Sequence, residues 1–270
     1  MKEMIRKPAV AGRFYPAGKE ALEAEVSKFL GTVQADVKAK GILVPHAGYM
    51  YSGHVAGAVY ALIQVPARII IMCPNHTGLG ASLAIMSSGS WEIPLGKIEV
   101  DMDLAKRLMH HCHLLSEDAE AHRFEHSLEV QLPFLYTIKN DFRFVPIAIG
   151  TSGYASLERL GKAIEATRKE VGEDILVIAS SDMNHYESDA ITRAKDRMAI
   201  NEILELDPKG LYDVVKSESI SMCGHGPAIA MLNSLDDLPS RKSKLVKYAT
   251  SGDVSGDRSE VVGYAGILVK

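Results

Sequence analysis

Three apolar runs in this 270-residue chain each lead into a histidine. Ile42-Leu43-Val44 is followed by Pro45-His46-Ala47-Gly48. Ile69-Ile70-Ile71-Met72 is followed by Cys73-Pro74-Asn75-His76-Thr77-Gly78. Leu176-Val177-Ile178-Ala179 is followed by Ser180-Ser181-Asp182-Met183-Asn184-His185. A lone histidine after a strand is ordinarily a structural residue. Three in the same topological position point to neutral imidazoles gathered on one sheet edge, and imidazole is the commonest metal ligand. The prolines before His46 and near His76 restrict the backbone ahead of the side chain, which favours a preorganised site.

Two histidines do not close a metal site, and the usual third ligand is a carboxylate or a thiolate. The candidates are Asp182, Asp189, Cys223 and the acids around residue 125. Cys223 stands in Ser221-Met222-Cys223-Gly224-His225-Gly226-Pro227, where the glycines permit close backbone approach and Pro227 suits a first helical turn. A cysteine just before a helix is expected to have a lowered pKa and to serve as a thiolate. The competing reading of Cys223 is a small buried hydrophobe. His225 is a further pocket candidate. Cys73 reads as core, and Cys112, between His111 and His113, as a residue at the exposed end of a helix.

The stretch His122-Arg123-Phe124-Glu125-His126-Ser127-Leu128-Glu129 places two histidines four apart. A zincin would need glutamate directly after the first, and Arg123 is there instead, so a metalloprotease is excluded. Glu125, His126 and Glu129 are expected to border the pocket, with His122 on the solvated side of a capped helix.

These residues need a frame that brings strand ends together. Apolar periodicity predicts helices over 19–30, 52–64, 101–111, 119–132, 157–171, 189–206, 208–217 and 227–235. Pro133 is expected to end or bend the fourth. Strands are predicted over 41–45, 68–73, 83–87, 144–149, 175–180, 244–250 and 261–269, with a hairpin over 91–100. The runs 69–72 and 176–179 are apolar on both faces, as in a sheet covered on both sides. Repeated β-α alternation predicts an α/β fold, a three-layer α/β/α sandwich, with antiparallel final strands making the central sheet mixed. Ligands in open α/β sheets bind beyond the carboxyl ends of strands, where the histidines stand. No linker or repeat divides the chain, so one domain is expected over 1–270.

Composition narrows the function further. Hydrophobic residues make up 47% and charged residues 24%, an ordinary globular balance. A chain of this size buries roughly 75% of its unfolded surface and needs no metal merely to fold. A metal must therefore be argued from function. The net charge of −4 and the absence of a long basic run speak against a nucleic-acid partner. The opening Met1-Lys2-Glu3-Met4-Ile5-Arg6-Lys7-Pro8 lacks the apolar core of a signal peptide, and no stretch approaches the ~20 apolar residues of a membrane span. With three scattered cysteines and no CxxC pair, a cytoplasmic protein without a membrane partner is expected. Phosphate-loop, dinucleotide and nucleophile-elbow motifs are absent.

Several blocks, in order and nearly end to end, resemble the Memo family, also called the AmmeMemoRadiSam system protein B family. They are Pro8–Ala17, Pro45-His46-Ala47-Gly48-Tyr49-Met50-Tyr51-Ser52-Gly53, Pro74-Asn75-His76-Thr77-Gly78, Glu125–Phe134, Ser180–Tyr186 and Cys223–Pro227. The resemblance implies a fold similar to the class III extradiol dioxygenases, non-haem iron enzymes in which two histidines and a glutamate hold the metal. It implies His46 and His76 as metal ligands, with Cys223 in place of the glutamate. Asp182 and His185 would line the same pocket, His185 as the acid/base group. A thiolate is softer than a carboxylate and shifts preference toward copper, zinc or a more reducible iron centre. The expected function is thus a redox or oxygenase-like protein with one iron or copper ion. The alternatives are a non-catalytic module for a small-molecule or peptide ligand, and a zinc hydrolase. Homo-oligomer formation stays open.

Overall fold

In the computed structural model, residues 4–236, 238 and 241–270 are described. Met1-Lys2-Glu3, the start of the segment read above against a signal peptide, lies outside them. Twelve strands are present among the described residues: β1 (Ile5–Arg6), β2 (Gly41–Val44), β3 (Arg68–Pro74), β4 (Leu83–Ile85), β5 (Ser90–Ile93), β6 (Gly96–Glu99), β7 (Ser116–Glu117), β8 (Arg143–Ile149), β9 (Ile175–Ser180), β10 (His185–Glu187), β11 (Ser243–Thr250) and β12 (Val261–Val269). The helices are α1 (Lys19–Leu30), α2 (Tyr49–Tyr60), α3 (Met102–His111), α4 (Leu132–Ile138), α5 (Tyr154–Val171), α6 (Asp189–Leu204), α7 (Pro208–Ser217), α8 (His225–Ser234) and the single turn α9 (Gly252–Ser255).

Nine strands form the central sheet in the order β10-β12-β2-β9-β3-β8-β4-β7, with β11 paired to β12. The inner strands β2, β9, β3 and β8 are parallel. Strand β12 runs antiparallel to β2, and β4 antiparallel to β8, so the sheet is mixed as expected. Side chains alternate across it, because successive residues of a strand point to opposite faces. Ile69, Ile71 and Cys73 enter one core with α1, α2 and α4. Ile70 and Met72 enter the other with α3, α5, α7 and α8. The result is the three-layer α/β/α sandwich. Among the described residues no helix is long and apolar enough to cross a membrane.

Helix α1 buries Leu22, Val26 and Leu30, spaced four apart on one face. It meets α2 at Gly57, where a Cβ would stand 2.5 Å from the Phe29 carbonyl oxygen. Only glycine permits that approach, which explains the small residues of this helix. Helix α2 begins at Tyr49, three residues earlier than expected, directly behind the His46 loop.

Two expectations are corrected. The helix predicted over 119–132 does not form. The segment contains two 3-10 turns, Glu120–His122 and Glu129–Gln131, and α4 starts only at Leu132. Pro133 therefore lies in a first turn, where its missing N–H leaves no helical bond unmade. Between 122 and 131 the polar side chains turn to different partners, which one helical face could not supply. Cys112 is 3% exposed and packs in a core, so it is no surface residue. The predicted hairpin forms, but in a separate three-stranded sheet where β5 also pairs with β1.

Candidate metal centre

Strand β9 lies between β2 and β3, and all three run parallel, so their carboxyl ends share one edge. Val44 is in register with Ser180, and Met72 with Ala179. The loops that follow carry His46, His76 and Asp182 onto that edge. Their neighbour Cys223 comes from the turn before α8. That turn presses on β9: at Gly224 a Cβ would stand 2.3 Å from the Ser181 Cβ and 2.4 Å from the Ser180 carbonyl oxygen. The Gly224 N–H donates to Ser181 Oγ at 3.1 Å, fixing the contact.

Cys223 Sγ lies 3.2 Å from His46 Nε2 and 3.6 Å from the Asp182 carbonyl oxygen. One ligand atom each from His46, His76 and Cys223 lie within 4.8 Å of one another. His46 is buried and His76 opens to solvent. A second group, His76, Glu125 and His126, meets the same 4.8 Å limit and shares His76 with the first. The rings of His46, His76 and His126 form one cluster, with centroids 5.2 Å (46–76), 5.5 Å (46–126) and 4.8 Å (76–126) apart.

Each ring is held from behind. His46 Nδ1 is 2.9 Å from Ser180 Oγ, and the His46 N–H donates to Asp182 Oδ1 at 2.7 Å. His76 Nδ1 is 3.0 Å from Glu125 Oε1, and its backbone N–H donates to Oε2 at 2.6 Å. His185 opens β10; its Nδ1 is 2.9 Å from the Ser221 carbonyl oxygen, and its backbone N–H donates to Ser221 Oγ at 2.8 Å. Tyr186 beside it has φ +61°, a left-handed conformation rare for a non-glycine residue.

Burial dominates the electrostatics. It drives the His46 pKa well below the ordinary value, with the neighbouring His126 and His76 charges acting in the same direction. Burial also brings His126 down to about 4, against the pull of Glu125, and lowers His185. The His46, His126 and His185 imidazoles are therefore neutral near pH 7, the form that ligates metals. Burial pushes the Asp182 carboxyl up to about 7, partly opposed by the His46 and Ala47 N–H groups. For Glu125 burial acts in the same direction, but hydrogen bonds from His76 and Ser127 outweigh it and hold the carboxyl well below its usual range. Burial drives the Cys223 thiol well above its ordinary value, with the Asp182 charge adding to the rise. This corrects the expectation of a lowered pKa: desolvation outweighs the helix end in the protein alone.

Other candidates stand elsewhere. Asp189 is bound by Arg193, Arg258 and Thr250, and is held down to about 2 chiefly by Arg193. Glu129 turns toward the N-terminal segment and accepts from Arg6, Ala9, Val10 and Tyr15. His122 is fully buried against Trp91, not solvated. His225 donates from Nδ1 to the Met222 carbonyl at 2.9 Å and is not among the gathered donors. Sequence reasoning missed Ser180, Ser127 and Gln131. Their types carry no chemical signal alone; their place behind strand-end histidines is the only clue.

The description "Memo-like protein" belongs to a family model that matches residues 6–268. A MEMO1 family protein of Pyrobaculum arsenaticum is 45% identical to the chain over 276 residues, covering 98% of each. MEMO1 family protein MTH_45 of Methanothermobacter thermautotrophicus is 40% identical, covering 97% of this chain and 99% of its own. Among solved structures, the uncharacterized protein JW3007 from Escherichia coli K12 superposes with a TM-score of 0.51 at 13% identity, over 83% of this chain and 98% of that one. That likeness concerns the fold alone.

Proposed function

The chain belongs to the Memo family, and on that premise we propose that it is a metal-dependent redox protein in which His46, His76 and Cys223 hold one iron or copper ion. The observation that carries the reading is the convergence of two imidazole nitrogens and a thiol sulfur within 4.8 Å. Donors around a tetrahedral ion, with metal–sulfur near 2.3 Å and metal–nitrogen near 2.0 Å, stand about 3.3 Å (nitrogen to nitrogen) and about 3.5 Å (nitrogen to sulfur) apart. The donors present fit that spacing with small side-chain movements. Three ligands leave a position open, as reactive sites require.

A metal held there would supply Lewis-acid or redox chemistry. The surrounding residues would do the rest. His185, held by Ser221 from its Nδ1 side, has Nε2 available to accept or return a proton. Asp182, with its carboxyl near 7, holds the His46 backbone and exchanges a proton close to neutral pH. It would orient a bound small molecule or peptide. The aromatic His76–His126 stack forms a wall on which a planar group can lie.

The same donor set favours a second reading, a zinc-dependent hydrolase, because a d¹⁰ ion accepts two nitrogens and one sulfur without geometric preference. A non-catalytic binding module is the third. Metal analysis of protein purified anaerobically without chelator, followed by anomalous diffraction at the iron, copper and zinc edges, separates these. Iron or copper at the three donors supports the redox reading, and zinc alone the hydrolase. If His46→Ala with Cys223→Ala binds metal as well as the unaltered protein, the metal assignment fails.

A further inference from the structure

The hydrogen bonds behind His46 and His76 trace to one short segment, 125–131. Behind His46 stands Ser180, whose Oγ has three contacts: the Ser127 carbonyl oxygen at 2.6 Å, Gln131 Nε2 at 2.9 Å and His46 Nδ1 at 2.9 Å. A carbonyl can only accept, so the one hydroxyl proton goes to Ser127. Gln131 must present its NH₂ there, because the same nitrogen is 2.9 Å from the Pro45 carbonyl oxygen while Tyr60 donates to its Oε1 at 3.0 Å. With its proton committed, Ser180 Oγ can only accept from His46. The His46 proton is therefore on Nδ1.

Behind His76 stands Glu125, fully buried. It accepts from the Ser127 N–H at 2.9 Å, the Ser127 hydroxyl at 2.6 Å and the His76 backbone N–H at 2.6 Å. A carboxylate has acceptors only, so the 3.0 Å contact with His76 Nδ1 places that ring's proton on Nδ1 as well. The same proton removes Nδ1 as a ligand for a second ion among His76, Glu125 and His126.

We infer that residues 125–131 are a template that sets both imidazoles as Nδ1–H tautomers, so that each presents a bare Nε2 to the shared metal position. The positioning residues are Glu125, within the segment, and Ser180 on β9, which the segment holds through the Ser127 carbonyl and Gln131; neither is a ligand. The two supports differ in strength. A carboxylate partner raises the donor basicity of its imidazole more than a neutral hydroxyl does, so His76 is the stronger donor of the pair. The metal consequence rests on the function proposed above; the tautomers are a property of the protein without metal.

Two-bond ¹H–¹⁵N correlation spectra of histidine-labelled, chelator-treated protein at pH 7.5 report each tautomer directly. The expected result is Nδ1–H at both His46 and His76. An Nε2–H pattern at either one overturns the template, whether or not any variant folds. Glu125→Gln, whose amide can donate, should convert His76 to Nε2–H or a mixture while leaving His46 unchanged. Ser180→Ala should release only His46. Titration with Zn²⁺, and with Fe²⁺ under nitrogen, should then show affinity lowered about 10–100-fold by Glu125→Gln and less by Ser180→Ala. Unaltered affinity and unaltered tautomer in Glu125→Gln would refute the role. If the unaltered protein binds neither of these ions, nor Cu⁺ under nitrogen, yet shows both Nδ1–H patterns, the metal reading fails and the template stands.

Discussion

Glu129 offers the sharpest test of what holds this site together. It is fully buried and accepts from the Arg6 guanidinium, the Ala9 N–H at 2.8 Å, the Val10 N–H at 3.1 Å and the Tyr15 hydroxyl at 2.5 Å. Arg6 is 7% exposed and also donates to the His122 and Glu125 carbonyls at 3.0 and 2.7 Å. Its guanidinium lies 4.3 Å from the Trp91 ring centroid. Glu129→Ala leaves that cation buried without a counter-charge and strands three neutral donors. Breaking a buried pair from one side costs about 3–5 kcal/mol, and each donor left dry adds about 1–3 kcal/mol. The retained carbonyls and ring offset part of this, so a loss of about 5 kcal/mol is expected. At about 2.1 cal/mol/K per residue, unfolding this chain gains about 570 cal/mol/K, so 5 kcal/mol is about 9 °C in Tm. The exposed Lys7–Glu92 pair is the control. Glu92→Ala should cost under about 1 kcal/mol, or about 2 °C. Thermal unfolding by circular dichroism, with urea titration to check a constant m-value, reads both. If Glu129→Ala falls within 1 °C of Glu92→Ala, the N-terminal segment is not held by this carboxylate and the argument is wrong.

Other outcomes follow from single contacts. Burial pushes the Asp196 carboxyl up to about 7, against the pull of the Tyr248 hydroxyl at 2.6 Å and the Asn184 N–H at 2.8 Å. A carboxyl raised in the folded state contributes stability that is complete below the ordinary carboxylate value and lost as pH rises through about 7. Asp196→Asn should flatten the decline in Tm between about pH 4 and 7, and an unchanged slope would contradict the assignment. Gly224→Ala puts a Cβ against Ser181 and the Ser180 carbonyl, so it should cost about 1–3 kcal/mol and reduce bound metal; wild-type Tm and metal content together would count against the packing described. Metal at 100 times its Kd should stabilise the protein by about 2.7 kcal/mol, or about 5 °C, and the shift should vanish in His46→Ala.

Much of this was legible in the sequence because apolar strands are the strongest local signal. The runs 69–72 and 176–179 read as strands of a sheet covered on both faces. The histidine after the first, His76, does meet His46, whereas His185 after the second opens β10 and is not among the gathered donors. Helices α3, α5, α6, α7 and α8 follow from periodicity and lie close to their expected bounds. The segment 119–132 did not follow, because its apolar residues also fit a helix. Nothing local shows that Glu125 must reach His76, Glu129 the N-terminal segment and Gln131 the Pro45 carbonyl. Tertiary hydrogen bonds overrode propensity there. Cys112 and His122 failed for a related reason: polarity of near neighbours suggested solvent, while long-range packing covered both. The separate sheet was invisible because a two-residue strand such as β1 carries no period.

The irregular segment also joins two features that look independent. Its carboxyl half, through Glu129, receives the N-terminal residues 6–15; its amino half, through Glu125, receives His76. Arg6 bridges the halves, donating to the Glu129 carboxylate and the Glu125 carbonyl at once. A regular helix could not do this, because its carbonyls would be spent on its own N–H groups. By leaving the Glu125 and Ser127 carbonyls free, the non-helical stretch between the two 3-10 turns gives Arg6 and Ser180 their acceptors. Local irregularity is thus the means by which one stretch of chain contacts the N-terminal segment and both imidazoles. It also explains why buried polar groups concentrate here, while the central strands that carry the loops remain almost wholly apolar.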